Sequence, residues 1–276
     1  MFSGIIGFIG AGNMAQAIAF GLIDAGAIPG KNVIASAPSM NNLKKFKEKG
    51  ATVTNDNNQV INTADIIFLS VKPQYLDTAI NSLNNIPHET KLYVSILAGI
   101  RLETLQEKFQ LQCNSKSSYK IIRVLPNTAV LVGAGCSVMA ANASTPEEDV
   151  SLVKSLMSVG GTCELIPENL INSCSAVCGS GPAFIFMAIE ALADGAVLRG
   201  VPRDLALKLA AKAVEGAGKL VLSTEKHPGK LKDEVCSPGG TTIVGVHKLE
   251  ESRLRFGLMD AVRATAERAD QLSLMK

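Results

Sequence analysis

Three small residues near the start of the chain are spaced to hold a phosphate. Gly10, Gly12 and Ala15 read G-x-G-x-x-A within GFIGAGNMA. They follow an apolar run that reads as a strand and open a stretch that reads as a helix, the context this motif requires. Gly10 permits the tight turn, Gly12 lets backbone approach a pyrophosphate, and Ala15 keeps helix and strand close. The N–H groups of Asn13 and Met14 then face the phosphates from the positive end of the helix. A tight turn without a ligand is the plainer reading, and the strand–helix alternation that follows argues against it.

A second chemical signal lies late in the chain, at Ser237-Pro238-Gly239-Gly240-Thr241-Thr242. Ser-Pro-Gly-Gly reads as a turn whose glycines expose backbone amides, and a helix is expected from about Thr241. An N-terminus so presented is suited to a carboxylate; an ordinary capping turn is the competing reading.

Other positions refine the first signal. The acid that would bind a ribose 2′-hydroxyl at the end of the second strand is missing from Val33-Ile-Ala-Ser36-Ala-Pro38. Without it a 2′-phosphate meets no repulsion. Ser36 and Ser39 offer hydrogen bonds and Asn57 reaches from the next loop, so NADPH is the expected cofactor, with NADH as the alternative. Val71-Lys72-Pro73, Ala98-Gly99 and Pro126-Asn127-Thr128 leave strands at C-terminal ends, where ligands bind in open α/β sheets.

These residues need a scaffold, and the pattern supplies one. Strands are expected at Gly4 to Ile9, Asn32 to Ser36, Ala51 to Thr54, Asp65 to Val71, Leu92 to Leu97 and Lys120 to Leu125, with two more at Ser137 to Ala140 and Cys163 to Ile166. Helices at Asn13 to Ala25 and Asn41 to Lys49 alternate with them. Such alternation implies βαβ units and a doubly wound, mostly parallel sheet. From Glu168 onward strand-like runs disappear. Ala183 to Leu198, Arg203 to Leu222 and Thr241 to Leu272 read as helices, with Pro182 and Pro202 at helix starts. The expected plan is an α/β Rossmann domain over 1–165 and an all-α domain over 166–276. The latter is rich in Ala, Leu and Val, and a helix apolar nearly all round is buried in a core or an interface. A homo-oligomer built through it is the expectation.

Composition excludes several classes. The 276 residues carry 19% charged residues and a formal net charge of +2, with no clustered basic face for nucleic acid. Apolar residues at the N-terminus lack a preceding Lys or Arg and are broken by glycines, against a secretory signal. No 18 uninterrupted apolar residues occur, so no transmembrane helix is expected. Cys113, Cys136, Cys163, Cys174, Cys178 and Cys236 form no CxxC pair and have no His at metal spacing. They read as free thiols of a reducing compartment, and no metal is expected. The cytosol is the expected compartment, with the mitochondrion as the alternative.

The stretch His227-Pro-Gly-Lys-Leu-Lys-Asp-Glu-Val-Cys236 leading into SPGGTT resembles the signature of the pyrroline-5-carboxylate reductase family. GFIGAGNMA, VKP at 71–73, AG at 98–99, PNT at 126–128, GSGPAF at 179–184 and ALADGAVLRGVPR at 191–203 extend the resemblance along the whole chain. Ala129 departs from the family's usual PNTP, Cys178 stands where Ser is common, and Cys236 occupies a small-residue site; these touch packing more than chemistry. The resemblance implies reduction of the C=N bond of Δ1-pyrroline-5-carboxylate to L-proline, and a helical domain that interlocks in a homodimer, with decamers beyond it. It implies that Ser237, Gly239, Gly240 and Thr241 hold the substrate carboxylate, that the Thr242 hydroxyl meets the ring nitrogen, and that Glu225 orders the loop. His227 and His247 are read as structural. Two other readings remain open. A β-hydroxyacid dehydrogenase would need a Lys on the helix at 183–198, which has none; a non-enzymatic NADP(H)-binding regulator would have no use for SPGGTT.

Overall fold

A computed structural model describes residues 2–88 and 90–274. The α/β half runs β1 (Ile6–Ile9), α1 (Asn13–Asp24), β2 (Val33–Ser36), α2 (Met40–Glu48), β3 (Thr52–Thr54), α3 (Asn57–Thr63), β4 (Ile66–Leu69) and α4 (Leu76–Asn81). It continues through β5 (Leu92–Ser95), α5 (Leu102–Cys113), β6 (Lys120–Leu125), β7 (Gly135–Ala141), α6 (Glu147–Ser158), β8 (Gly161–Leu165) and α7 (Ile171–Cys178). Then come α8 (Gly181–Val197), α9 (Arg203–Thr224), α10 (Pro228–Val235), α11 (Thr241–Glu251) and α12 (Leu254–Leu274).

The eight strands form one sheet in the order β3-β2-β1-β4-β5-β6-β7-β8. Every pairing is parallel except β6 with β7. Strands β1, β2, β4 and β5 are buried throughout, as parallel strands covered on both faces must be. Successive side chains of a strand point to opposite faces, and this divides the core in two. Ile6 and Phe8 join Phe46, Phe68, Val153 and Leu156 on one face, with the Phe8 and Phe68 rings stacked at 4.9 Å. Ile9, Ile67 and Tyr93 join Leu105, Phe109 and Ile171 on the other.

By packing, residues 1–180 and 265–276 make one compact unit and residues 181–264 a second. The division falls 15 residues later than the expected 165, because α7 lies against the sheet through buried Ile171 and Ala176. Residues past 264 return to the first unit. The second unit has a meagre interior: its buried hydrophobic cluster consists of Ala193, Ala206 and Ala210. Large side chains such as Phe186 (63% exposed), Met187 and Phe256 lie open.

Two expectations need correction. The helix expected over Thr241 to Leu272 is two helices, α11 and α12, broken where Arg253 takes φ 55°. No Gly or Pro marks the corner and the apolar pattern runs through it, so periodicity alone joins them. The 18-residue rule also overlooks an apolar window within 168–197, whose mean hydropathy is 1.6. The backbone turns at Gly179–Ser180, and the 17 residues of α8 extend about 25 Å, less than the roughly 30 Å hydrocarbon core of a bilayer.

Candidate active site

The C-terminal ends of the parallel strands lie side by side. Ile9 is in register with Ser36 on β2 and with Leu69 on β4, and Leu69 with Ser95 on β5. The strand order reverses direction between β1 and β4, the switch point where open α/β sheets bind ligands. Gly10 sits there with φ 103°, and a Cβ on it would come within 2.7 Å of Ser70 carbonyl atoms. Its N–H donates to the Ser36 carbonyl at 2.9 Å. Gly12 caps α1 with no side-chain hydrogen bond and no acid in the first helical turn. A Cβ on Gly12 would meet nothing within 4 Å. Ala15 is fully buried. The result is an uncapped helix N-terminus with cleared space before it, which fits a pyrophosphate.

Ser70 was not among the residues the sequence singled out. Its hydroxyl donates to the carbonyls of Ile9 at 3.1 Å and Gly10 at 2.7 Å, so it clamps the glycine turn. A Ser closing an apolar strand immediately before VKP was the only sequence signal for it.

At the next strand end, Ser36 is buried and its hydroxyl donates to Asn57 Oδ1 at 2.6 Å. Asn57 Nδ2 in turn donates to the Ser82 hydroxyl at 2.9 Å. Ser36 therefore holds Asn57 in place, and the free polar group here is Ser39, exposed and capping α2 without a side-chain hydrogen bond. Lys72 and Ala98 are exposed, Val71 and Pro73 half-buried. Gly99 turns with φ 74°. Asn127 differs from the expectation: it is buried, and its side chain serves the fold. Its Oδ1 accepts from Ala129 and Cys136 N–H groups, at 3.2 and 3.3 Å, while Nδ2 donates to the Cys178 carbonyl at 2.8 Å.

The second unit holds the Ser-Pro-Gly-Gly segment that the sequence singled out. Ser237–Gly240 is a turn closed by Gly240 N–H on the Ser237 carbonyl at 3.0 Å. Pro238 fills its second position, and Gly239 adopts φ 68°, which a glycine takes without strain. Gly240 caps α11 with no side-chain bond, and the first turn has no acid. Thr241 and Thr242 are exposed. Glu225 ends α9 with φ 53°, a left-handed conformation unusual for a non-glycine. His227 is structural as expected: its Nδ1 accepts from Gly229 N–H at 3.1 Å and caps α10. His247 pairs with Glu251 one turn on, at 3.4 Å.

Among the described residues no His/Cys/Asp/Glu group of metal-binding size exists. The six cysteines are all free. Burial drives the Cys163 thiol up to about 12 and the Cys178 thiol up to about 11, away from the thiolate a nucleophile needs.

Two family descriptions match the chain, one early and one late. Residues 5–99 match the family described as NADP oxidoreductase coenzyme F420-dependent, and residues 168–272 match pyrroline-5-carboxylate reductase dimerisation. A pyrroline-5-carboxylate reductase of Arabidopsis thaliana is 42% identical over 97% of this chain and 95% of its own. Human pyrroline-5-carboxylate reductase 2 is 38% identical over 98% of this chain and 84% of its own. The structure superposes on a pyrroline-5-carboxylate reductase from Coxiella burnetii with TM-score 0.90 and 33% identity, covering 99% of both chains. It superposes on the Plasmodium falciparum enzyme with NADP bound at TM-score 0.87 and 29% identity, again over 99% of both.

Proposed function

The chain belongs to the pyrroline-5-carboxylate reductase family, and from that premise we propose how its own residues share the work. It is an NAD(P)H-dependent oxidoreductase that reduces the C=N bond of Δ1-pyrroline-5-carboxylate, giving L-proline. NADPH supplies the hydride when bound. A cyclic imine accepts hydride best when its nitrogen is protonated, so the chain's task is to place the ring and manage one proton; positioning dominates.

Backbone amides of Gly12, Asn13 and Met14 take the pyrophosphate at the start of α1, with Gly10 shaping the turn. Ser39 and the start of α2 take the 2′-phosphate, with Asn57 on the ribose, held by Ser36. The loops at Val71–Pro73 and Ala98–Gly99 flank the nicotinamide half, and Asn127 supports the neighbouring loop from beneath. The substrate carboxylate is held by Ser237, Gly239, Gly240 and Thr241. Thr242 meets the ring nitrogen and passes it a proton as the C=N electron pair moves onto nitrogen; a Thr hydroxyl is too weak an acid to act unaided, so water or the ribose shares this role. Glu225 fixes the chain leading into α10. The observation that carries the substrate assignment is the Ser237–Gly240 turn, which delivers an uncapped α11 with no acid in its first turn.

The family's dimerisation region supports an oligomer. We propose a homodimer through the second unit, assembling further into decamers, because three buried alanines are too small an interior to sustain the helices of that unit. The free thiols support a reducing compartment, the cytosol. The test of the activity is NADPH oxidation with pyrroline-5-carboxylate: turnover is expected, and none would overturn the reading. Sedimentation of the full chain is expected to give a dimer or larger, and a monomer at micromolar concentration would overturn the assembly.

A further inference from the structure

Arg123 is the largest fully buried side chain, 2% exposed, and it stands in the middle of β6. The chemistry described above does not use it. Burial pulls its pKa below arginine's usual value, and Glu168 only partly offsets this. A guanidinium carries five N–H donors, yet the contacts here are few and long. Nη1 lies 3.4 Å from Glu168 Oε1 and Nη2 3.2 Å from Asn172 Oδ1, while Nε has no partner. Glu168 Oε1 is already shared, accepting the Leu102 N–H at 2.8 Å. A buried cation with so many donors unmet is costly to leave as it is.

The same side chains border a cavity of about 230 Å³ within the first unit, with Arg101, Glu103 and Asp270 on its walls. The side chains of Arg101 and Glu103 have no hydrogen-bond or ion-pair partner among the described residues. Asp270 Oδ1 accepts from Asn172 Nδ2 at 2.8 Å, leaving its other oxygen available. Two cations therefore face three carboxylates. That balance disfavours a plain anion, while the pair of guanidiniums, one under-satisfied and one free, calls for a carboxylate. A ligand that brings its own cation resolves both. The volume equals roughly seven or eight waters, and it lies below the range of drug-sized pockets. It suits a molecule of under ten heavy atoms.

We propose that this cavity binds a small zwitterionic amino acid, its carboxylate on Arg101 and Arg123 and its ammonium on Glu103 and Asp270. The site is separate in sequence and in compact unit from the Ser237–Gly240 turn. The probes are L-proline, chosen on the proposed activity, and glycine.

Equilibrium dialysis of the full chain with radiolabelled probe counts the sites. Wild type is expected to bind two equivalents of L-proline, one at each place. Arg101→Ala and Glu103→Gln, both at exposed residues, are expected to lose one equivalent each time, with melting curves confirming the fold. Gly239→Val is expected to lose the other and keep the Arg101-dependent one. A single equivalent that survives Arg101→Ala and Glu103→Gln overturns the proposal, as does the absence of Arg101-dependent binding of either probe. Displacement by acetate as effective as by glycine overturns the zwitterion assignment. Should the active-site assignment fail instead, Gly239→Val would leave proline binding unchanged while Arg101→Ala still reduced it.

Discussion

Gly10 and Ser70 touch so closely that a single methyl group would force them apart: a Cβ on Gly10 would lie 2.7 Å from the Ser70 carbonyl carbon and oxygen. The Ser70 hydroxyl meanwhile donates to the Gly10 carbonyl at 2.7 Å. Gly10 also holds φ 103°, so space and backbone conformation exclude a side chain independently. Gly10→Ala is expected to cost on the order of 1–3 kcal/mol of stability in a denaturant titration and to weaken NADPH binding at least about tenfold. Ser70→Ala removes only the clamp, about 1 kcal/mol. A Gly10→Ala protein with wild-type NADPH affinity would remove this turn from the cofactor site.

Gly12 makes the opposite case. With nothing within 4 Å of its Cβ position and an ordinary φ of −71°, Gly12→Val places its Cβ in open space. The melting temperature is expected to hold while NADPH affinity, followed by fluorescence titration, falls by about a hundredfold, since the added side chain occupies the space before the helix N-terminus. A loss of stability equal to that of Gly10→Ala would show that Gly12 serves the fold and not the ligand.

Thr242 is exposed at the second position of α11, so its removal disturbs no packing. Thr242→Ala is expected to lower kcat by about 10- to 100-fold, the weak end of what a positioned proton donor supplies, with a smaller change in KM. Thr242→Ser keeps the hydroxyl and is expected to recover most of the rate. An unchanged kcat in the Ala variant takes Thr242 out of the proton transfer.

Thiol chemistry gives a pH signature. Desolvation raises Cys163 to about 12 and Cys178 to about 11. A raised thiol pKa means protonated sulfur below it, so at pH 8 about one Cys178 in a thousand is thiolate. Iodoacetamide labelling mapped by mass spectrometry is expected to spare both residues in the native protein near neutral pH. Labelling of Cys178 should climb as pH approaches 11. Rapid labelling of Cys163 at pH 7 would show that its surroundings open.

Much of this protein was already determined by residue order. Period-two and continuous apolar runs located all eight strands to within a few residues, most plainly β1, β2, β4 and β5, where burial on both faces favours apolar side chains. Glycine at 10, 12 and 239 announced turns, since only glycine takes such conformations or leaves such space without cost. Tertiary structure decided what spacing does not encode. It turned Ser36 inward onto Asn57, and it set Asn127 to bracing Cys136 and Cys178. A polar residue at a strand end looks the same in sequence whether it meets ligand or fold. The break at Arg253 carried no Gly or Pro, so only the assembled backbone revealed it. The same holds for Arg123, Glu168, Asn172 and Asp270: they are spread over 147 positions of chain (270 − 123) and become one polar cluster through packing alone. Local sequence fixes conformation through sterics and hydrogen bonding to near neighbours, whereas partners so distant in sequence are chosen by the fold.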